Sequence, residues 1–334
     1  MTHNLVIQSL APLSDAHHKP LLALSRGTRV VQTDDHALRI ENASPAQRLD
    51  IDAYCGTHAL DFGFVEAGLT LGDFGLAVMD MDSTLITIEC IDEIADFCGL
   101  KTQVAEITEA SMRGEIKDFN ESLTRRVALL AGLDAHALER VYEERLQLSP
   151  GAETMLAGVK AAGMKTLLVS GGFTFFTERL KARLGLDYAH ANTLEIVNGK
   201  LTGKVLGEIV NADVKARLLR ETCASLGLEP RRAIAMGDGS NDLKMMAEAG
   251  LSVAFHAKPV VRDAATVAFD HVGLTGCCDC SDPAAPSMKN AGAISQRAGV
   301  SFSCRTLPAC DQPSAACIAR SISARRSASS SRPT

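Results

Sequence analysis

Asp80-Met-Asp82 places two carboxylates two residues apart, straight after the apolar run Phe74-Gly-Leu-Ala-Val-Met. Alternate residues of an extended strand share a face, and a chain turning into a loop can bring both carboxylates towards one point. Held close, they repel unless a cation lies between them or one takes a proton. Such a pair suits a hard, oxygen-seeking cation such as Mg²⁺, or a division of labour between acid and base. A second acidic group, Asp238 and Asp242 in Gly237-Asp-Gly-Ser-Asn-Asp242, lies in a loop whose glycines permit tight turns. Asp242 could equally serve as a helix N-cap without touching any chemistry. Acidic groups at two strand ends of one sheet are better explained by a shared cation. Asp80, Asp82 and Asp238 could then give it about three oxygen ligands and leave room for water and a phosphate oxygen.

Ser170-Gly171-Gly172 closes another apolar run, Met164-Lys-Thr-Leu-Leu-Val, just before a helical stretch. Its backbone N–H groups and hydroxyl could hold an anion at the helix N-terminus; otherwise it is a plain strand–helix turn. Lys215 lies in a helix of mixed charge, a setting in which a lone lysine is ordinarily solvated. Taken together these residues describe phosphoryl transfer, whose developing charge needs a divalent cation, a lysine and N–H or hydroxyl donors. A carboxylate can be the nucleophile and form an aspartyl-phosphate. Asp80 would fill that role, and Asp82 would protonate the leaving oxygen.

The elements that must position these groups alternate along the chain. Apolar runs of strand length lie at Phe74–Met79, Met164–Val169, Arg232–Met236 and Leu251–Phe255, the pattern of strands buried on both faces. Helical stretches at Gly151–Ala162, Thr174–Leu184, Ala212–Leu226 and Asp242–Ala249 separate them. The alternation predicts an α/β fold with a parallel sheet covered on both faces, and ligands beyond the carboxyl ends of its strands. Between the first strand and Pro150, amphipathic helices at Ile91–Phe97, Thr102–Met112, Asn120–Leu130 and Ala135–Tyr142 suffice for a compact cap. Ala191–Val210 alternates on either side of Asn198-Gly199, a hairpin signal. Residues 1 to about 70 predict a small α/β or strand-rich region with no chemistry of its own. Its His17-His18 and Asp34-Asp35-His36 are expected to be exposed loop residues.

Composition bounds the rest. The 334 residues are 46% apolar and 22% charged, enough for two or three domains and a sizeable core. A formal charge of −6 argues against nucleic-acid binding, and no run approaches the length of a membrane span. The N-terminus lacks the basic start, apolar block and cleavage site of a secretory signal, which points to the cytoplasm. Of ten cysteines, six fall after residue 275, in a tail with 12 Ser, 11 Ala and 5 Pro. That tail, 276–334, carries seven Lys and Arg against three Asp, so the first 275 residues hold a charge of −10. It is expected to be low-complexity and disordered, packing no core. Cys277-Cys278-Asp-Cys280 is a weak zinc or redox motif, since the other cysteine spacings are irregular and the tail has no histidine. A change of reading frame near Thr275 would also produce this composition, and inspection of the coding DNA would reveal it.

Asp80-x-Asp82-Ser-Thr84, Ser170-Gly-Gly, Lys215 and Gly237-Asp-Gly-Ser-Asn-Asp242 resemble the four ordered motifs of the haloacid dehalogenase superfamily. With Glu89-Cys-Ile-Asp-Glu-Ile-Ala and Leu168-Val-Ser-Gly-Gly-Phe, the stretch from Phe74 to Gly273 is similar to its phosphoserine phosphatase family. The resemblance implies a Rossmann-like catalytic core (71–90 and 150–275), a helical cap inserted after the first core strand (91–149), a variable N-terminal domain (1–70) and the tail. It implies Mg²⁺-dependent hydrolysis of O-phospho-L-serine through an aspartyl-phosphate, the last step of serine biosynthesis. Asp80 would be nucleophile and Asp82 general acid/base. The metal would be bound by Asp80, Asp238 and the main-chain carbonyl rather than the carboxylate of Asp82, with Asp242 in support. Ser170, Gly171 and Lys215 would hold the phosphoryl group, and Asn241 would help place the substrate. Glu89 and Arg126 match the positions that receive its ammonium and carboxylate, a complementarity that makes physical sense. Met112 and Phe119 match an apolar seal. Read without the family, Glu89 is a first-turn helix acid and Arg126 a solvated one beside Arg125. The partner is then a small molecule, with no nucleic acid or membrane, and a homodimer is left open. Two other readings stand beside this one: a related phosphatase or phosphotransferase using another small acceptor such as homoserine, and a non-catalytic module that binds phosphorylated ligands.

Overall fold

A computed structural model describes residues 2–113 and 115–280, with the side chain of Met112 outside the described part. The chain opens with β1 (His3–Ser9), α1 (Asp15–Ser25), β2 (Arg29–Gln32), β3 (Ala37–Ala43), α2 (Arg48–His58) and β4 (Leu60–Glu66). β5 (Leu76–Met79) follows, then four helices, α3 (Cys90–Phe97), α4 (Lys101–Met112), α5 (Phe119–Ala128) and α6 (His136–Glu144). After them come α7 (Ala152–Ala161), β6 (Lys165–Phe173), α8 (Thr174–Leu184), β7 (Tyr188–Val197) and β8 (Lys200–Leu206). The described chain ends with α9 (Ala212–Ser225), β9 (Ala233–Gly237), α10 (Leu243–Glu248), β10 (Leu251–Phe255), α11 (Pro259–Ala264), β11 (Val267–Phe269) and α12 (Gly276–Asp279).

The strands form one sheet in the order β2-β3-β1-β4-β11-β10-β9-β5-β6-β7-β8. From β11 to β7 every neighbouring pair is parallel, as the continuous apolar runs predict. β5 lies near the middle and is buried on both sides. Ala77 and Met79 join one core with α7, α8 and the helices α3, α5 and α6, while Leu76 and Val78 join another with α9, α10 and α11. Each of the helical stretches expected from sequence is present, with ends shifted by one or two residues. The hairpin is present as well: Asn198 and Gly199 take φ of 52° and 74°, the left-handed pair that a tight two-residue turn requires.

Two expected boundaries meet continuous structure. Near residue 70 the sheet does not break, because β4 pairs antiparallel with β11 through Gly63–Val267 and Phe62–Ala268. The N-terminal strands therefore extend the core sheet, and α1 and α2 cover one face of them over Leu5, Ile7, Leu38, Ile40, Phe62 and Phe64. His17 and His18 lie on α1 rather than in a loop. At the other end, Gly276–Asp279 is helical, and Cys277 and Cys280 are fully buried, so the first residues of the expected tail pack. The sequence hides this because the segment is short and small, with no apolar period to detect. Its anchors are polar and distant: Gln8 on β1 donates to the Gly276 carbonyl at 2.8 Å, and Arg39 on β3 donates to the Cys280 carbonyl at 3.4 Å. The rest of the tail, 281–334, lies outside the described residues. No helix among the described residues is long and apolar enough to cross a membrane.

Candidate active site

The carboxyl ends of β5, β6 and β9 meet at one point, with Asp80 after β5, Ser170 within the last residues of β6 and Asp238 after β9. The chain leaving β5 stays extended at Asp82 and then turns through a left-handed Ser83, φ 53°. The two carboxylates of Asp80-Met-Asp82 meet different partners. Asp80 faces Lys215, whose ammonium sits 2.8 Å from the Asp80 Oδ2 and 2.8 Å from the Asp242 Oδ1. Asp82 turns towards β6 instead. Its Oδ1 accepts the Cys90 N–H at 2.9 Å and its Oδ2 accepts the Ser170 hydroxyl at 3.1 Å.

Lys215 is not the solvated lysine its mixed-charge helix suggests; it is fully buried. Asn211 caps α9 by accepting the N–H groups of Asp213 and Val214, and this sets the first turn that carries Lys215 inward. Burial alone would lower its pKa; Asp242 and Asp80 outweigh that and hold the ammonium above its usual range. Burial raises the Asp80 carboxyl well above the ordinary carboxylate range, and Asp242 adds to the effect while Lys215 opposes it. Burial likewise raises Asp82 against the donors it accepts. Asp238 is pushed up to about 6, by burial first and then by Asp242. Asp238 also accepts a hydrogen bond from the Thr84 hydroxyl at 3.4 Å.

Asp80, Asp238 and Asp242 each bring a carboxylate oxygen to within 4.8 Å of the other two. Among the described residues no other group of three metal-ligating side chains comes together, Cys277, Cys278 and Cys280 included. Two buried carboxylates, Asp80 and Asp242, and the partly buried Asp238 beside one lysine leave negative charge uncompensated. Hard oxygen donors in that state fit a hard divalent cation. The Asp82 carboxylate, one of the three ligands suggested by sequence spacing, stands apart from this group because Cys90 and Ser170 hold it. Asp242, expected only to support the metal site, lies inside the group. Its Oδ2 also accepts the Gly239 N–H at 3.1 Å.

Ser170-Gly171-Gly172 is not at a helix N-terminus. β6 runs on to Phe173 and α8 begins only at Thr174, so the motif is extended backbone. Gly172 is required by close approach, since a Cβ there would lie 2.5 Å from the Asp82 Oδ2. Gly172→Ala is accordingly expected to displace Asp82 and lower kcat about 10²-fold with little change in KM, measured by steady-state turnover. An unchanged kcat would show that Asp82 has room to move. Asn192 on β7, a residue that sequence reading passes over, ties this strand end to the segment that leads into α9. Its side chain donates to the Gly171 carbonyl at 2.7 Å and accepts the Val210 N–H at 2.8 Å. The signal was a lone asparagine among the alternating residues of the hairpin.

Above these groups the helices α3, α4 and α5 roof a cavity of about 450 Å³, the size of a small-molecule site. Its lining includes Asp80, Asp82, Gly171, Asp238 and Asn241 from the sheet side, and Glu89, Phe119 and Arg126 from the helical side. Phe119 reaches Gly171, its ring 3.0 Å from where a Cβ would stand. Glu89 is exposed to the open cavity, with protein on most other sides. That enclosure and then Asp82 raise its carboxyl above the ordinary range, and the Ser83 hydroxyl donates to it at 2.8 Å. Of the two adjacent arginines, Arg125 is exposed and pairs with Glu121, whereas Arg126 lines the cavity. The structure also brings Asp92, Ser111 and Lys258 to the cavity wall.

Residues 77–247 match the haloacid dehalogenase-like hydrolase family, and residues 5–51 match a domain of unknown function (DUF4072). A phosphoserine phosphatase from Polaromonas sp. is 57% identical over 210 residues, which span 62% of this chain and 89% of the relative. The crystal structure of a probable phosphoserine phosphatase from Vibrio cholerae, in unliganded form, superposes with a TM-score of 0.70. It shares 39% identity over 84% of this chain and 85% of its own. A structure described as a phospho-aspartyl intermediate analogue of phosphoserine phosphatase aligns with a TM-score of 0.59 and 36% identity, over 63% of this chain and 99% of its own. The motifs, the parallel sheet that carries them and the family match agree: the chain belongs to the haloacid dehalogenase-like hydrolases.

Proposed function

We propose that the chain is a Mg²⁺-dependent phosphatase that hydrolyses O-phospho-L-serine to L-serine and phosphate, the last step of L-serine biosynthesis. One observation carries the reading. A cavity whose floor holds Asp80, Asp82, Gly171 and Asp238, with the buried Ser170 hydroxyl donating to Asp82, is walled on its other side by an acid, Glu89, and a cation, Arg126. The floor suits a phosphoryl group and the wall suits an α-amino acid. The likeness to the Polaromonas phosphatase and to the phospho-aspartyl analogue structure supports both halves.

In this reading Asp80 attacks phosphorus and the bond to the serine oxygen breaks. Asp82, protonated as its raised pKa favours, gives its proton to the leaving oxygen. Ser170 keeps Asp82 aimed, and with Gly171 and Lys215 it steadies the phosphoryl oxygens. Asp82, now a carboxylate, takes a proton from the water that hydrolyses the aspartyl-phosphate, which frees phosphate and restores Asp80. Mg²⁺ held by Asp80, Asp238 and the main-chain carbonyl of Asp82, with Asp242 in support, would supply positive charge against the phosphoryl oxygens. Glu89 takes the substrate ammonium, Arg126 its carboxylate, and Asn241 helps to orient it. Phe119 closes the apolar side together with Met112, whose side chain lies outside the described residues.

The same reading assigns the catalytic core to 71–90 and 150–275, the cap to 91–149 and a variable extension to 1–70, with the cytoplasm as compartment. A sedimentation measurement decides between monomer and homodimer. The test of function is phosphate release from phosphoserine, phosphothreonine and an aryl phosphate. Strong preference for phosphoserine is expected, and equal rates would overturn the substrate assignment. Transfer of phosphate to added homoserine in place of release would favour the phosphotransferase, and binding without turnover would favour the non-catalytic module. Arg126→Ala is expected to raise KM for phosphoserine roughly 10–100-fold, the worth of a charged hydrogen-bonded pair. Arg125→Ala should leave it unchanged, since that side chain points to solvent and Glu121.

A further inference from the structure

Asp92 and Arg126 line the same cavity from α3 and α5. Arg126 uses its Nε to donate to the Ser122 carbonyl at 3.4 Å, and its two Nη groups have no hydrogen-bond partner among the described residues. Asp92 is in the first turn of α3, where an acid is welcome to the helix dipole, yet its side chain caps nothing. Its Oδ1 is buried with no hydrogen-bond partner. Neither side chain forms an ion pair within 4 Å among the described residues, so a carboxylate and a guanidinium face one cavity with open hydrogen-bonding capacity. A buried carboxylate oxygen left in that state is costly unless a nearby positive charge compensates it. Burial raises the Asp92 carboxyl and lowers the Arg126 guanidinium; of the charges that oppose this, Arg126 is the foremost on Asp92, ahead of Lys101, and Asp92 is the foremost on Arg126.

We propose that Asp92 is a positioning residue for Arg126: an otherwise unpartnered carboxylate across the cavity that keeps the guanidinium turned inward, with both Nη groups free for a ligand's carboxylate. The inference rests on the substrate reading above, because it concerns the ligand that Arg126 would meet. Without Asp92, the acids left to attract Arg126 are Glu89, which would meet the substrate ammonium, and Asp82, on the cavity floor. The guanidinium would then swing away from the carboxylate seat.

Asp92→Asn tests this in the Mg²⁺-loaded, full-length protein. KM for phosphoserine is expected to rise about tenfold, about 1.4 kcal/mol, with kcat within about twofold. Asp92→Glu should recover part of the loss. O-Phosphoethanolamine, which keeps the ammonium but lacks the carboxylate, should be turned over alike by wild type and Asp92→Asn. In an Arg126→Ala background, Asp92→Asn should add nothing. Equal loss on phosphoethanolamine, an additive loss in the double variant, or an unchanged or lower KM overturns the proposal. If the wild type does not hydrolyse phosphoserine, the substrate reading fails by itself. The Arg126 Nε–H resonance, assigned with Arg126→Lys, still tests the pairing, since an unchanged shift in Asp92→Asn overturns it.

Discussion

Asp80→Asn is expected to lower phosphate release from phosphoserine by about 10⁴-fold or more, the scale seen when a covalent nucleophile is removed. The amide keeps the shape of the side chain and can still accept the Met81 N–H that Asp80 accepts at 2.7 Å, so the turn after β5 is preserved. Its effect on stability should be slight or favourable. Asp80 is one of three carboxylates crowded to within 4.8 Å, and its carboxyl is raised well above the ordinary range by burial and by Asp242. Removing one negative charge relieves part of that repulsion and leaves Lys215 with Asp242 at 2.8 Å. Thermal melting of the Mg²⁺-free protein should therefore show a midpoint equal to or above that of the wild type. Trapping with radiolabelled phosphoserine and acid quench should label the wild type and not the variant. A variant that keeps its turnover would exclude Asp80 as nucleophile and move attention to Asp82.

Much of this site was legible because its residues lie at the ends of buried strands, where apolar runs stop abruptly. Phe74–Met79, Met164–Val169 and Arg232–Met236 each mark a strand, and the polar residues that follow them are the ones the sheet brings together. What the sequence concealed is of a different kind. The direction of Asp82, away from the acidic group, is set by hydrogen bonds from the Cys90 N–H and from the Ser170 hydroxyl 88 residues away, which no composition rule singles out. The burial of Lys215 depends on a capped turn of α9 and on carboxylates 135 and 27 residues away. The sheet's continuation into the first 66 residues was hidden because β11 is only three residues long, and antiparallel pairing to β4 leaves no local pattern. α12 was hidden for a related reason, being held by Gln8 and Arg39 from the opposite end of the chain. Family resemblance supplied Glu89 and Arg126, which pattern alone would leave as surface charges. The distinction between Arg126 and Arg125 then becomes physical, because only one of them faces the cavity.

Lys215→Met should produce the largest loss of stability of any single change at the site. The lysine is fully buried and is the cation that holds Asp80 and Asp242 together, each at 2.8 Å. Methionine fills a similar volume, so the packing of α9 against the sheet changes little and the charge is what is lost. Breaking a buried pair by removing one partner costs about 3–5 kcal/mol, because the remaining charges are left uncompensated. The ammonium is held above its ordinary value of 10.5, so its contribution is fully present at neutral pH and fades only as pH rises through the strongly basic range. A drop in the midpoint of urea denaturation at pH 7, with an unchanged m-value, is the expected reading in the absence of metal. Adding Mg²⁺ should then raise the stability of Lys215→Met by more than it raises that of the wild type. A cation among Asp80, Asp238 and Asp242 replaces part of the positive charge that the lysine supplied, and folding and metal binding are linked. Phosphate release should stay low even at saturating Mg²⁺, because the cation restores charge balance without restoring the ammonium beside the transferring phosphoryl group. A variant as stable as the wild type without metal would show that the aspartates are already protonated there. Equal stabilisation of both proteins by Mg²⁺ would separate the lysine from the metal-binding group altogether.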